Sequence, residues 1–256
     1  MSLFKMISDR FSRFSPMGAG DDSVLHAFHE GDYKLALKRC EALGKNSQRY
    51  FHLRGILLYK VGRLEESERL LREGILVECK APRDLSLIHE ALGTTLIDLG
   101  RLDEAIISFE QSLRKGPERS ARHRAVAGAW LTAGVEPAKA LANAQVAARI
   151  AYSDSVSDPD PEKMDLCEAV STLAWAVAVN AKDEWEIGKL DRETSALCNA
   201  KNKPAAALMH YCMGRAYSEL GKTKPASDHF TQAAAAEPQG NYGRLATAAL
   251  EEINLR

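Results

Sequence analysis

The chain has 256 residues, 45% apolar and 27% charged, and a net charge of −1, which excludes a general electrostatic drive toward DNA, RNA or anionic lipid. No apolar run approaches the roughly 20 residues that a membrane span needs. The five cysteines are odd in number, scattered and without a CxxC, so buried free thiols in a reducing compartment and a cytoplasmic location are expected.

Taken in chain order, Leu3, Phe4, Ile7, Phe11 and Phe14 recur at helical spacing, with Lys5, Arg10 and Arg13 around the turn. The charges break up any secretory apolar region, and 1–20 is expected to be an amphipathic segment or tail that covers the following array. The other reading of this segment is a membrane-surface helix. His26 and His29 stand three apart with no third ligand nearby, so no metal is expected there. Gly31-Asp32-Tyr33, Ala36, Cys40 and Leu43 then give half of a pattern that becomes explicit downstream.

The next copy holds Phe51, Gly55, Leu58, Gly62, Ser67, Leu71 and Gly74, followed by an insertion around Lys80 to Asp84 in which Pro82 is expected to mark a loop. The copy after it reads His89-Glu90-Ala91-Leu92-Gly93-Thr94-Thr95-Leu96, then Gly100, Ala105, Phe109 and Pro117. A degenerate copy keeps Ala127, Trp130 and Gly134. Its approach carries Arg114, Lys115, Arg119, Arg122 and Arg124, expected to be a solvated helix face. Ser153 to Glu162 reads as a polar linker, ending on Asp160, Pro161 and Glu162 as N-cap, first helical proline and first-turn acid. Two helices without a clean signature are expected in 161–200. The last clear copy reads His210-Tyr211-Cys212-Met213-Gly214-Arg215-Ala216-Tyr217, then Gly221, Ala226, Phe230, Ala233 and Pro238, and a closing helix is expected near Tyr242 to Leu255.

From Gly93 and from Gly214 the marks fall at the same offsets, +3, +7, +12, +16 and +24. This spacing resembles the tetratricopeptide repeat, with its period of about 34 residues and its Leu-Gly-x-x-Tyr, Ala and Pro signature. The resemblance implies an all-α, right-handed superhelical solenoid of antiparallel helix pairs. It places a repeat array of about six pairs over 21–240, clearest near 47–79, 86–117 and 207–238, and a capping helix over 241–256. Gly55, Gly93 and Gly214 are expected to face Ser67, Ala105 and Ala226 where paired helices approach. Leu71, Phe109 and Phe230 are expected to fill the wider gaps between pairs. Gly62, Gly100, Gly134 and Gly221 should end first helices in left-handed caps, and Pro117 and Pro238 should stop second helices.

The resemblance also implies a groove lined by first helices, which takes an extended peptide or a helix of a protein partner. Carried over by position, the groove residues are His52, Ile56, Tyr59 and Lys60, then Glu90, Thr94, Ile97 and Asp98, then Tyr211, Arg215, Ser218 and Glu219. Arg124 and Trp130 join them from the degenerate copy. The Lys/Asn pair with which some members clamp a carboxylate terminus is absent at these positions, which favours a mixed-charge partner. His89 and His210 occupy equivalent positions, as packing residues would. Without P-loop, GxGxxG, GxSxG or HExxH motifs, neither an enzyme nor a cofactor is expected. The expected role is a protein-interaction scaffold. The alternatives are a self-assembling homo-oligomeric subunit and an adaptor that touches a membrane through its N-terminal helix.

Overall fold

The computed structural model describes residues 21–41, 48–77, 82–157, 164–198 and 202–254. The N-terminal amphipathic segment, Cys79 and the Asp160-Pro161-Glu162 cap lie outside them. Among the described residues there are thirteen helices and no strand, in keeping with the all-helical expectation. They are α1 (Asp21–His29), α2 (Tyr33–Cys40), α3 (Gln48–Lys60), α4 (Leu64–Leu76), α5 (Pro82–Asp98), α6 (Leu102–Lys115), α7 (Ser120–Ala133), α8 (Pro137–Ser157), α9 (Met164–Ala181), α10 (Glu184–Leu197), α11 (Lys203–Glu219), α12 (Thr223–Ala236) and α13 (Asn241–Asn254). They divide between two compact units, Met1–Pro117 and Glu118–Arg256.

In the first unit α1/α2, α3/α4 and α5/α6 pack as successive helical hairpins, with α3 also lying directly against α5. The turn between paired helices has one chemical solution, used repeatedly. Gly62 N–H donates to the Tyr59 carbonyl at 3.0 Å and Arg63 N–H to the Leu58 carbonyl at 2.9 Å, a pattern that needs the left-handed backbone of Gly62 at φ +79°. Gly100 (φ +74°) repeats it. The second helix then starts on a cation. Arg63 forks onto Glu66 with both contacts at 2.6 Å, and Arg101 donates to Glu104 at 2.6 and 2.8 Å. Arg101 also reaches Glu68 at 2.7 Å, while Arg72 bridges Glu68 at 2.8 Å and Glu104 at 2.7 Å. Two arginines and two glutamates thus close a ring that ties α4 to the start of α6. Each exposed pair contributes little alone, but the ring shares the ordering cost among four side chains.

The signature glycines are contact points, and their partners differ from the expected ones. A Cβ on Gly55 would lie 2.4 Å from Leu71, and one on Gly93 would lie 2.8 Å from the Phe109 ring. Leu71 and Phe109 therefore sit on the glycines inside a pair, not in the gaps between pairs. A flat ring or a branched methyl fills the notch that a missing side chain leaves. The small residue one turn earlier still matters at Ser67, whose Oγ donates to the Gly55 carbonyl at 2.8 Å. Gly74 of α4 wedges between Phe51 of α3 and Ile88 of α5, where a Cβ would meet them at 2.5 and 3.2 Å. Pro82 begins α5 instead of marking the middle of a loop. Its fixed φ suits a first helical residue, whose N–H has no helical acceptor anyway.

The second unit has α7/α8, α9/α10 and α11/α12 as hairpins, closed by α13 against α11 and α12. Helix α9 is its hub, packing on α7, α8, α10 and α11. That placement follows from a sequence apolar nearly all round, with Leu166, Ala169, Val170, Ala174 and Ala178 all buried. Gly214 repeats the notch: a Cβ there would lie 2.6 Å from Phe230. Gly134 and Gly221 take φ +68° and +69°, but the α9–α10 turn bends through Lys182 at φ +49°. A lysine doing the glycine's work is why this pair shows no signature. Asp183 Oδ1 caps α10 by accepting from Glu186 N–H at 3.0 Å, and Asn202 Oδ1 caps α11 from Ala205 N–H at 3.2 Å. Helix α8 runs on to Ser157, so the start of the expected polar linker is helical.

Candidate partner-binding surface

In the first unit the candidate residues lie on α3 and α5. His52 is buried, and burial, with the charge of Arg49, pushes its imidazole down to about 4. Ile56 faces α1, where with Val24, Leu25, Phe28, Leu53 and Leu57 it lines an apolar cavity of about 20 Å³. That is room for a water-sized guest but without polar groups to hold one. The Thr94 hydroxyl donates to the Glu90 carbonyl at 3.1 Å and so is spent on its own helix. Lys60 is exposed with its ammonium 5.7 Å from the Tyr59 ring; Tyr59, Glu90, Ile97 and Asp98 are half-buried. The polar rim of this face is therefore Tyr59, Lys60, Glu90 and Asp98.

In the second unit the same positions on α7 and α11 meet α9 and α13. Arg124 is half-buried and paired: its guanidinium lies 2.8 Å from Glu168 of α9. Burial alone would lower the Arg124 pKa, but the Glu168 carboxylate more than reverses this and holds it above the usual value. Arg122 is 0% exposed. The expected solvated face thus turns inward at both positions, because an acceptor for Arg124 stands on a helix distant in sequence. Trp130 is 5% exposed and packs with the Lys139 ammonium 5.9 Å from its ring.

Tyr211, 4% exposed, is the centre of an aromatic cluster. Its ring centroid lies 5.9 Å from Trp175, 6.0 Å from Phe230 and 5.7 Å from Tyr242. Arg215 lies 5.0 Å above the Trp175 ring, donates to the Tyr211 hydroxyl at 3.4 Å and stands 3.7 Å from Glu219. Burial raises the Tyr211 and Tyr242 phenols, which stay protonated at neutral pH. Trp175 Nε1 and Arg124 Nε are buried with no hydrogen-bond partner among the described residues. Arg215, Ser218 and Glu219 form the accessible edge, while Tyr211 and Trp130 belong to the packed interior.

Glu168, Trp175 and Tyr242 escaped the sequence reading. One signal was there: Glu168 is a lone carboxylate inside the apolar run of α9, and such a residue demands a cation.

Behind α11, the Tyr217 hydroxyl donates to Asp191 at 2.7 Å, His229 lies 3.4 Å from the same carboxylate, and His210 meets His229 at 3.1 Å. Burial and the His229 neighbour push His210 down to about 4. His52 and His210 are thus both neutral when folded and take up protons only below the usual 6.5. The unfolded chain binds more protons through that window, so each unit is expected to lose stability as pH falls from 6.5 toward 4. Urea midpoints across this range check it; His52→Gln should flatten the slope for the first unit.

Among the described residues no three His, Cys, Asp or Glu side chains group as metal ligands, and no helix is long and apolar enough to cross a membrane. Successive helical hairpins, three of them closed on glycine notches, define a helix-pair repeat fold. The sequence profile described as tetratricopeptide repeat matches residues 88–114, the α5/α6 hairpin. No curated protein matches it in sequence. Among solved structures it is similar to the APC/C hetero-tetramer Cut9–Hcn1, at 16% identity and a TM-score of 0.64, over 98% of this chain but 45% of that one. It is also similar to MamA from Desulfovibrio magneticus RS-1, at 14% identity and a TM-score of 0.52, over 71% of this chain and 97% of that one. At these identities the likeness is one of fold.

Proposed function

We propose that the chain is a protein-interaction scaffold that takes a mixed-charge peptide or helix of a partner on the first helices of its hairpins. One candidate face belongs to each unit: Tyr59, Lys60, Glu90 and Asp98 in the first, and Arg215, Ser218 and Glu219 in the second. The observation that carries the reading is Arg215. Its guanidinium is held above the buried Trp175 ring and beside Tyr211, yet its side chain remains 34% exposed. A cation whose orientation is fixed by packing loses little rotamer freedom when a carboxylate docks on it. Glu219 and Asp98 supply the opposite sign, so a partner segment that alternates charge suits these faces better than a uniformly acidic one.

Charge reversal tests this without disturbing the interior. Lys60→Glu and Arg215→Glu are expected to keep the helical circular dichroism of the parent. Each should lower the recovery of partner proteins from native lysate by at least about fivefold, an effect on the order of 1 kcal/mol. Unchanged recovery with both variants would remove these faces from consideration.

A further inference from the structure

Cys198 closes α10, and Cys167 stands in the first turn of α9. Both are free thiols. They converge on one carbonyl: Cys198 N–H donates to Thr194 O at 2.8 Å, and Cys167 Sγ lies 3.8 Å from the same oxygen. Cys198 packs against the core cluster of which Cys167 is a member. Their exposures differ. Cys167 is 1% exposed, whereas Cys198 is half-buried at the end of its helix.

We propose that Cys167 and Cys198 form a dithiol modification site that reacts with small-molecule disulfides of the glutathione disulfide class and closes to an intrachain disulfide. The roles follow from the asymmetry. The neighbouring Cys167 pulls the Cys198 thiol below its usual value, which favours the thiolate there. The neighbouring Cys198 and burial together hold the Cys167 thiol up, so it stays protonated until a leaving group draws its proton.

In the first step the Cys198 thiolate attacks one sulfur of glutathione disulfide. The glutathione S–S bond breaks, one glutathione thiolate leaves, and Cys198 carries a mixed disulfide. The departing thiolate takes the proton of Cys167. The Cys167 sulfur then attacks Cys198 Sγ, forms the intrachain bond and expels the second glutathione as thiolate, which takes up the proton Cys198 had released. Two protein thiols are oxidised, and one glutathione disulfide is reduced to two thiols. The new bond fastens the last turn of α10 to the first turn of α9, within a hairpin in which α10 is held chiefly by α9. Cys212, buried and pushed up to about 12, lacks the accessible, acidified partner that such chemistry needs.

The test uses the full chain incubated with glutathione disulfide, quenched, unfolded in denaturant, then alkylated and mapped by mass spectrometry. The expected product joins the Cys167 and Cys198 peptides, opens on dithiothreitol and raises the thermal midpoint. Cys167→Ser should instead stop at a stable glutathione adduct on Cys198, and Cys198→Ser should leave Cys167 alkylatable. If the Cys167→Ser protein fails to fold, the parent map and Cys198→Ser decide. The proposal is overturned if Cys167 and Cys198 of the parent both stay alkylatable, or if Cys198→Ser loses the Cys167 thiol as fast as the parent.

Discussion

Gly214→Leu is expected to cost at least about 3 kcal/mol, whereas Gly128→Ala in the same unit is expected to gain up to about 1 kcal/mol. Both glycines lie inside helices, so propensity favours replacing either. What separates them is the space a side chain would enter. A Cβ on Gly214 would stand 2.6 Å from two carbons of the Phe230 ring, while one on Gly128 meets nothing within 4 Å. Phe230 is 1% exposed and held by Tyr211, so it cannot swing aside without breaking the aromatic cluster. A leucine at 214 must therefore pry α11 from α12 or expel the ring, and the loss of a buried phenylalanine alone costs about 3–5 kcal/mol. Gly93→Leu meets Phe109 in the same way in the first unit. Chemical denaturation of the three variants checks the signs; a parent-like midpoint for Gly214→Leu would mean the notch is not where the hairpin is tightest.

The repeat was legible because its marks are demanded by backbone geometry. A chain reversing after a helix in a few residues needs a left-handed residue, and glycine at 62, 100, 134 and 221 announces it. Where Lys182 takes that conformation, the announcement disappears although the turn remains. Contacts were less legible than conformations. That Phe109 and Phe230 fill glycine notches depends on how a side chain leans along its helix, which offset counting does not convey. Pro82 reads the same in a loop or at a first helical position, since both suit its fixed φ.

The candidate faces were legible as positions but not as environments. The offsets place Tyr211 and Arg215 on one helix. Only the packing of α9 and α13 separates the tyrosine, absorbed into an aromatic cluster, from the arginine left at its edge. Arg124 is the clearest case. A run of arginines is solvated by default, because an unpaired buried charge costs several kcal/mol. The exception requires a carboxylate on a neighbouring helix, and Glu168 lies in a stretch with no repeat signature to give its register.

That pairing sets up the second large effect. Glu168→Ala is expected to cost about 3 kcal/mol, toward the lower end for a buried pair because both side chains keep 19% exposure. The loss comes less from the missing attraction than from what is left behind. Arg124 would stay at the junction of α7 and α9 with Nε already lacking an acceptor and its ion-pair partner gone. Removing the stranded cation as well should recover most of the stability, so Glu168→Ala/Arg124→Met is expected to denature at higher urea than Glu168→Ala alone. An apolar pair of similar volume needs no desolvation of charge, and such exchanges are often neutral. The double-mutant cycle distinguishes the electrostatic account from a packing one. Were Glu168 valued for its methylenes, the second substitution would add its own cost to the first, and the double variant would be the weaker of the two.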